Sequence, residues 1–447
     1  MRCCKLSIMK KTHRGVALWN RAKKIIPGGN QLLSKRGEMF LPDQWPSYYK
    51  KAKGVEVWDL DGNKYIDMSL MGVGSCILGY ADPDVNKAVI KAIQDGSMAT
   101  LNCPEEVELA ELLCSLHPWA SMVRYARTGG EAMAIAVRIA RAHSGKDKVA
   151  FCGYHGWSDW YLSANIGSNK NLDGHLLPGL EPVGVPRSLK RSMFPFHYNH
   201  VEELEKIVVE HKDIGVIVME PLKYAPMEND FLKKVRAIAD RIGAVLVFDE
   251  ISIGWRKNVG GAHLSYGVNP DIAVFAKAMS NGFPMAAIIG RKDVMQTAQK
   301  TFISSTYWTE RIGPVAAIAT IKKMKRCKVP THLKKITAIL AKGLKERADA
   351  RGIALTILGP SPLIALAFNH GSESQTIKTL FTQEMLSRGF LASTSIMLSY
   401  AHNVVHIKKY LTAVDEVFAL IKKAIDEKKL SALLKGPVSH SGFQRLN

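Results

Sequence analysis

The order of elements along the chain predicts an α/β protein: a large domain with a mostly parallel sheet flanked by helices, plus a smaller α+β domain built from the N- and C-terminal segments. Two observations carry this. Between Val123 and Gly290, short apolar runs alternate with segments whose apolar residues recur at helical spacing, and such alternation builds parallel sheets. The second is the stretch 244–277, AVLVFDEISIGWRKNVGGAHLSYGVNPDIAVFAK, in which two apolar runs end on charged groups. Ala244–Phe248 runs into Asp249 and Glu250, and Ile272–Ala276 runs into Lys277. Short apolar runs bounded by turn residues are strands buried on both faces. Ligands in such sheets sit beyond the carboxyl ends of the strands, so Asp249 and Lys277 are expected at one edge.

In chain order, residues 1–18 read as a loose tail, followed by a short helix over Ala17–Ile26 that Pro27-Gly28-Gly29 stops. Asp61-Gly62-Asn63, flanked by Val55, Val57, Lys64 and Ile66, is a hairpin signal. Helices are expected after Asp84 and over 105–117. Then strands at Val123–Ala126, Lys148–Cys152, Ile214–Met219, Ala244–Phe248, Ile272–Ala276 and Ala286–Gly290 alternate with helices at Glu131–His143, Val201–His211 and Phe231–Ile242. Beyond Gly313 come helices at Pro314–Lys325 and His332–Gly352, then a second strand-and-helix group and an irregular tail from Ser431 to Asn447. The expected boundaries are 1–77 for an N-terminal segment of the small domain, 78–313 for the large domain and 314–447 for the rest of the small one.

A chain of 447 residues supports a large core and two domains. No window holds the roughly 18 uncharged apolar residues of a spanning helix, so no membrane association is expected. The start, MRCCKLSIMKKTHRG, lacks the apolar core and cleavage site of a secretory signal. Seven scattered cysteines without CxxC pairing argue against a disulfide framework or a zinc site, and a cytoplasmic setting is expected. The net charge of +21 raises a nucleic-acid partner. The densest cluster, Lys322, Lys323, Lys325, Arg326 and Lys328, has no nucleic-acid-binding motif around it, so a solvated surface that attracts anionic substrates is the expectation.

Four features carry chemistry. Burial at a strand end lowers a lysine ammonium pKa and makes the amine a nucleophile; the plainer reading of Lys277 is a helix-capping surface lysine. An acid at the end of a neighbouring buried strand needs a cationic partner. For Asp249 this is either a salt bridge to Lys277 or Arg256, or the protonated ring nitrogen of pyridoxal phosphate, whose aldehyde would engage the lysine. Arg127-Thr128-Gly129-Gly130-Glu131 lies between a strand and a helix, where N–H groups and missing side chains suit an anion, although Gly-Gly there also serves as a simple turn. Tyr154, in Gly153-Tyr154-His155-Gly156, sits where an aromatic covers a planar face or joins the core.

Taken together, Asp249-Glu250, Gly254-Trp255-Arg256, Asn269-Pro270-Asp271 and Ala276-Lys277 resemble the signature of class III aminotransferases, pyridoxal-phosphate enzymes of fold type I. The resemblance extends over Ile26-Pro27-Gly28-Gly29, residues 57–62, Thr128–Ala132, Tyr154-His155-Gly156 and Met219-Glu220-Pro221, and within the class it is similar to the glutamate-1-semialdehyde aminomutases. It implies that pyridoxal 5′-phosphate is held by the large domain, with Lys277 as the internal aldimine and proton shuttle and Asp249 on the ring nitrogen. Ile251 and Tyr154 would pack on the ring faces, and Gly129 and Gly130 would hold the phosphate. Thr306 would reach the phosphate of the partner in a homodimer, with the sites at the subunit interface; Glu220 lies near the cofactor. The implied reaction is transfer of an amino group from a glutamate-like donor to a carbonyl acceptor through pyridoxamine phosphate, or the intramolecular aminomutase variant.

Four departures bear on the substrate. The phosphate loop has Gly130 where the family has a hydroxyl residue, which costs roughly 1 kcal/mol for one hydrogen bond. Tyr307-Trp308-Thr309-Glu310 replaces a Gly-Asn-Pro turn, and residues 393–402 lack the Glu that aminomutases carry there. Residues 29–36 only partly match the segment that recognises a substrate carboxylate: Ser34 and Arg36 could do so, or the segment is a plain loop. These differences favour an aminotransferase over a strict aminomutase.

Overall fold

The computed structural model describes residues 13–444 and 446, apart from 169, 176, 177, 223, 224, 360 and 361. At its centre is a seven-stranded sheet in the order Met122–Ala126, Ala286–Gly290, Ile272–Phe275, Val245–Asp249, Ile214–Met219, Lys148–Cys152 and Met193–Pro195. Ala286–Gly290 runs antiparallel to both neighbours, and the other adjacent pairs are parallel. Side chains alternate between the faces, as strand geometry requires. Val149, Phe151, Val216, Val218, Val245 and Val247 enter the core beneath the helix Gly129–Ser144. Ala150, Cys152, Ile217, Met219, Leu246 and Phe248 enter the opposite one, under the helices Val201–Glu210 and Phe231–Ile242. Burial on both faces is why these strands read as unbroken apolar runs.

The N- and C-terminal segments form the second part together. Strands Tyr49–Lys53, Glu56–Asp59 and Lys64–Asp67 make an antiparallel sheet, and Phe390–Leu391 joins it in parallel alongside Lys64–Asp67. A three-stranded antiparallel sheet, Leu355–Leu358, Leu363–Phe368 and Ser395–Met397, packs with the helices Ile312–Arg326, Val329–Arg351, Ser374–Ser387 and Val404–Asp426. No helix among the described residues is long and apolar enough to cross a membrane.

Several local expectations change. Residues 14–18 are not loose: the first helix spans Arg14–Ile25 because Arg14 N donates to Asp61 and Trp19 is buried with its indole on Glu38 at 2.9 Å. Tyr49–Lys53, Met193–Pro195 and Phe390–Leu391 are strands without a strong apolar pattern, fixed by their neighbours. The tail beyond Ser431 is irregular apart from one short turn, but it is tied down. Ser439 meets Gln375 and Thr379, and His440 N donates to Glu38 O. In the basic cluster, Lys322 pairs with Glu108, Lys323 with Asp82 and Arg326 with Asp84, so much of that charge is spent on local acids. Among the described residues, cysteines 76, 103, 114, 152 and 327 form no disulfide; Cys3 and Cys4 lie outside the described residues.

Two fully buried histidines tie together segments distant in the chain. His117 donates from Nδ1 to Leu113 O and accepts Gly261 N–H at Nε2 (2.9 Å each). His402 accepts Ser399 N–H at Nδ1 (3.0 Å) and donates from Nε2 to Asp67 O (2.9 Å), locking the Ser399–His402 turn to the end of an N-terminal strand. Burial lowers the pKa of each to about 4 from 6.5. The unfolded chain therefore takes up these protons first as pH falls. The stability from each is intact above about pH 6.5 and is lost through pH 4, a change of roughly 3 kcal/mol per histidine. Urea midpoints are expected to fall between pH 6.5 and pH 5, where free carboxylates are still ionised, and the slope should be shallower in His402→Gln.

Candidate active site

The parallel register pairs Asp249 with Val274, so the Asp249 strand and the strand leading into Lys277 end side by side. Both side chains line one cavity of about 320 Å³ at that sheet edge, together with Gly129, Gly130, Tyr154 and Ile251. Lys277 opens a short helical turn with left-handed backbone, φ 46°. Its Nζ donates to Ser252 Oγ at 2.7 Å. Burial pushes the ammonium below the ordinary lysine range; Asp249 opposes this, Arg256 reinforces it and Glu220 opposes it weakly. The amine is thereby available at lower pH than a free lysine.

Asp249 is nearly inaccessible, and its side-chain partner is neither Lys277 nor Arg256. Its Oδ2 accepts from His155 Nδ1 at 2.9 Å, and Oδ1 accepts Ile251 N–H at 3.0 Å. His155 is itself buried, stacked on Trp160 and edge-on to Tyr161.

The glycine pair starts the helix Gly129–Ser144, where the first N–H groups have no intrahelical acceptor. Glu131 Oε2 takes the N–H groups of Arg127 and Thr128, and Oε1 takes the Trp308 indole N–H at 2.9 Å. Side chains at the glycines would close the cradle: a Cβ on Gly129 would stand 3.0 Å from Ile251 Cδ1, and one on Gly130 would stand 3.1 Å from Trp157. Gly156, at φ 103°, passes so near Gly130 that a Cβ on it would lie 2.8 Å from the Gly130 Cα.

The remaining expected residues fall as follows. Tyr154 stands at the mouth, 41% exposed. Glu220 lies behind it, with Oε2 accepting Tyr154 N–H at 3.2 Å and occupying the space a Gly153 side chain would need. Thr306 is exposed on the turn Thr306–Thr309 and does not line its own chain's cavity. Neither Ser34 nor Arg36 lines it: Arg36 donates to Gln444 O at 3.0 Å and lies over the Phe443 ring. Lys35 instead lines a second lobe of about 330 Å³ that shares Ser75 and Gly282 with the first. Phe40, Trp45, Asp67 and Tyr80 also line that lobe. His155 and Ser252 were not among the expected site residues, though each directly follows one that was, Tyr154 and Ile251.

The fold is shared with solved structures of transaminases. The structure superposes on the internal aldimine form of the FumI protein of Sphingopyxis sp. MTA144 with a TM-score of 0.84, at 24% identity, covering 93% of this chain and 98% of that one. On an omega-transaminase from Sphaerobacter thermophilus the TM-score is 0.80, also at 24% identity, covering 92% and 98%. The chain belongs to the class-III aminotransferase family, whose model matches residues 42–426. A 3-aminobutyryl-CoA aminotransferase of Cloacimonas acidaminovorans is 34% identical over 77% of this chain and 79% of its own. A glutamate-1-semialdehyde 2,1-aminomutase of Clostridium perfringens is 31% identical over 90% and 98%.

The class works with pyridoxal 5′-phosphate, and the cavity suits that group: an amine for its aldehyde, a buried carboxylate for its ring nitrogen and a side-chain-free helix start for its phosphate. The Gly130–Gly156 approach yields a test. Gly156→Ala should raise the dissociation constant for pyridoxal phosphate about ten- to a hundredfold, because strained backbone costs roughly 1–3 kcal/mol. Absorbance titration measures it, with far-UV circular dichroism close to wild type.

Proposed function

We propose that the protein is an aminotransferase moving an amino group from a glutamate-like donor to a carbonyl acceptor. The observation that carries this is the convergence of Lys277 and Asp249, from adjacent parallel strands, on the cavity that the Gly129–Gly130 helix start also lines. Bound there, pyridoxal phosphate supplies an aldehyde that accepts amino groups and a protonated ring that draws electrons from the substrate carbon. Lys277 would hold the aldehyde and, when released, take and return a proton at Nζ. The Asp249 carboxylate would keep the ring nitrogen protonated, with His155 fixing its direction. Ile251 and Tyr154, which line the cavity, would pack against the ring; Glu220 steadies the Tyr154 backbone. The N–H groups of Gly129 and Gly130 would take the phosphate.

Thr306, exposed beside the exposed Tyr307 and Phe302, is offered to a second copy, so a homodimer with interface sites is the reading for the assembly. The 78–313 segment is the cofactor-binding domain in this reading, and the cytoplasm its setting. The second lobe, with Lys35 at its wall, holds the substrate. The aminotransferase reading is preferred over the aminomutase one because residues 393–402 carry no glutamate.

Reduction with borohydride should fix the cofactor to Lys277, located by peptide mass; no cofactor there after supplementation sinks the enzyme reading. An amino donor alone should convert the protein stoichiometrically to the pyridoxamine form and release a keto acid. Rearranged product with no second substrate would instead identify an aminomutase. Asp249→Asn should retain cofactor yet lose turnover by about a hundredfold or more, the scale of losing one buried charge aimed at the reacting group.

A further inference from the structure

One polar side chain outside the expected set touches the atom on which the proposed reaction turns. Lys277 Nζ lies 2.7 Å from Ser252 Oγ, and Ser252 lines the cavity. The contact is held from both sides. Lys277 is fixed at its backbone by the left-handed turn that begins at it. Ser252 is fixed by its own carbonyl, which accepts Arg256 Nε at 2.7 Å, while the same buried guanidinium donates to Gly74 O. A lysine has a long flexible stem, and ordering it costs rotamer entropy. Here a clamped hydroxyl holds its tip.

The direction of the hydrogen bond decides what the hydroxyl does. A neutral amine has two N–H bonds and one lone pair. If Ser252 accepts an N–H, the lone pair stays open toward the cavity; if it donated its own hydrogen, the lone pair would be blocked. An ammonium has only donors, so Ser252 must accept from that form, and it can accept from the neutral form without moving.

We infer that Ser252 is a further catalytic residue, its Oγ accepting one Lys277 N–H throughout and so aiming the free amine at the substrate carbon. This rests on the proposal that Lys277 carries the covalent and proton-transfer chemistry. The proton balance closes on the lysine: the Nζ lone pair takes a proton from one carbon, the resulting ammonium returns a proton to another, and the serine neither gains nor loses one. Arg256 is a positioning residue in this scheme, acting through the Ser252 backbone. Ser252 also stabilises the ammonium relative to the neutral amine, because a hydroxyl acceptor is worth more to a charged donor.

The test compares wild type with Ser252→Ala and Ser252→Thr. First, capture of pyridoxal phosphate by the cofactor-free protein is followed by absorbance across pH. Loss of the acceptor in Ser252→Ala should move the midpoint to lower pH by about half to one unit. Second, single-turnover half-reactions use whichever of L-glutamate, β-alanine and 1-phenylethylamine converts wild type fastest. Ser252→Ala should lose about ten- to a hundredfold in rate with the half-saturating concentration within about twofold. Ser252→Thr, which keeps the hydroxyl, should restore both readouts. An unchanged midpoint and rate in Ser252→Ala overturns the inference. So does an equal loss in both variants, which would assign the effect to packing. Failure of wild type itself to bind cofactor at Lys277 overturns the aminotransferase reading, and is seen before any variant is compared.

Discussion

The site depends on the parallel pairing of Val245–Asp249 with Ile272–Phe275. Each strand is apolar and enclosed on both faces, so neither can slide without turning its side chains out of their cores. That constraint delivers a carboxylate and an amine to one edge with no further machinery. It also leaves each charged group largely withdrawn from water at the end of an apolar run. The fold answers each with a short side-chain contact: the His155 imidazole for Asp249 and the Ser252 hydroxyl for Lys277. The strands carry the charges to the edge, and these contacts set their directions.

The central layer was legible because its signals are local. Uninterrupted apolar runs, glycine stops and helical spacing each act within a few residues. Asp249 and Lys277 could be placed at the sheet edge from those runs alone; naming the group between them needed the wider resemblance. What could not be read is held by distant partners. Tyr49–Lys53 and Phe390–Leu391 are strands because other strands lie beside them, the latter pairing with residues more than 300 positions earlier. Arg14–Ile25 is helical from its first residues because Asp61 and Glu38 hold it. The same limit applies to Asp249. The sequence allowed Lys277 or Arg256 as its side-chain partner, and the hydrogen bond is instead with His155, from another strand end.

The neighbouring cations Lys35 and Arg36 show how one position separates two roles. Arg36 turns to the carboxyl-terminal segment, where Gln444 and Phe443 receive it, and Lys35 faces the lobe beside the site. With His440 on Glu38, the far end of the chain backs the loop that walls the lobe. The loop carrying Lys35 and Arg36 is thus tied to residues some 400 positions away, which no local pattern reports.

Two indole rings rest against the anion cradle: Trp157 over Gly130, and Trp308 through its N–H on Glu131. Both adjoin the strip of backbone that would receive the phosphate, so the molecule carries its own fluorophores at the site. Filling the cradle alters the surroundings of both rings at once, and Trp157, 71% exposed, has the larger change in hydration open to it. Tryptophan emission thus offers an optical reading of occupancy with no label attached, and exchanging either ring for phenylalanine would tell which of them speaks.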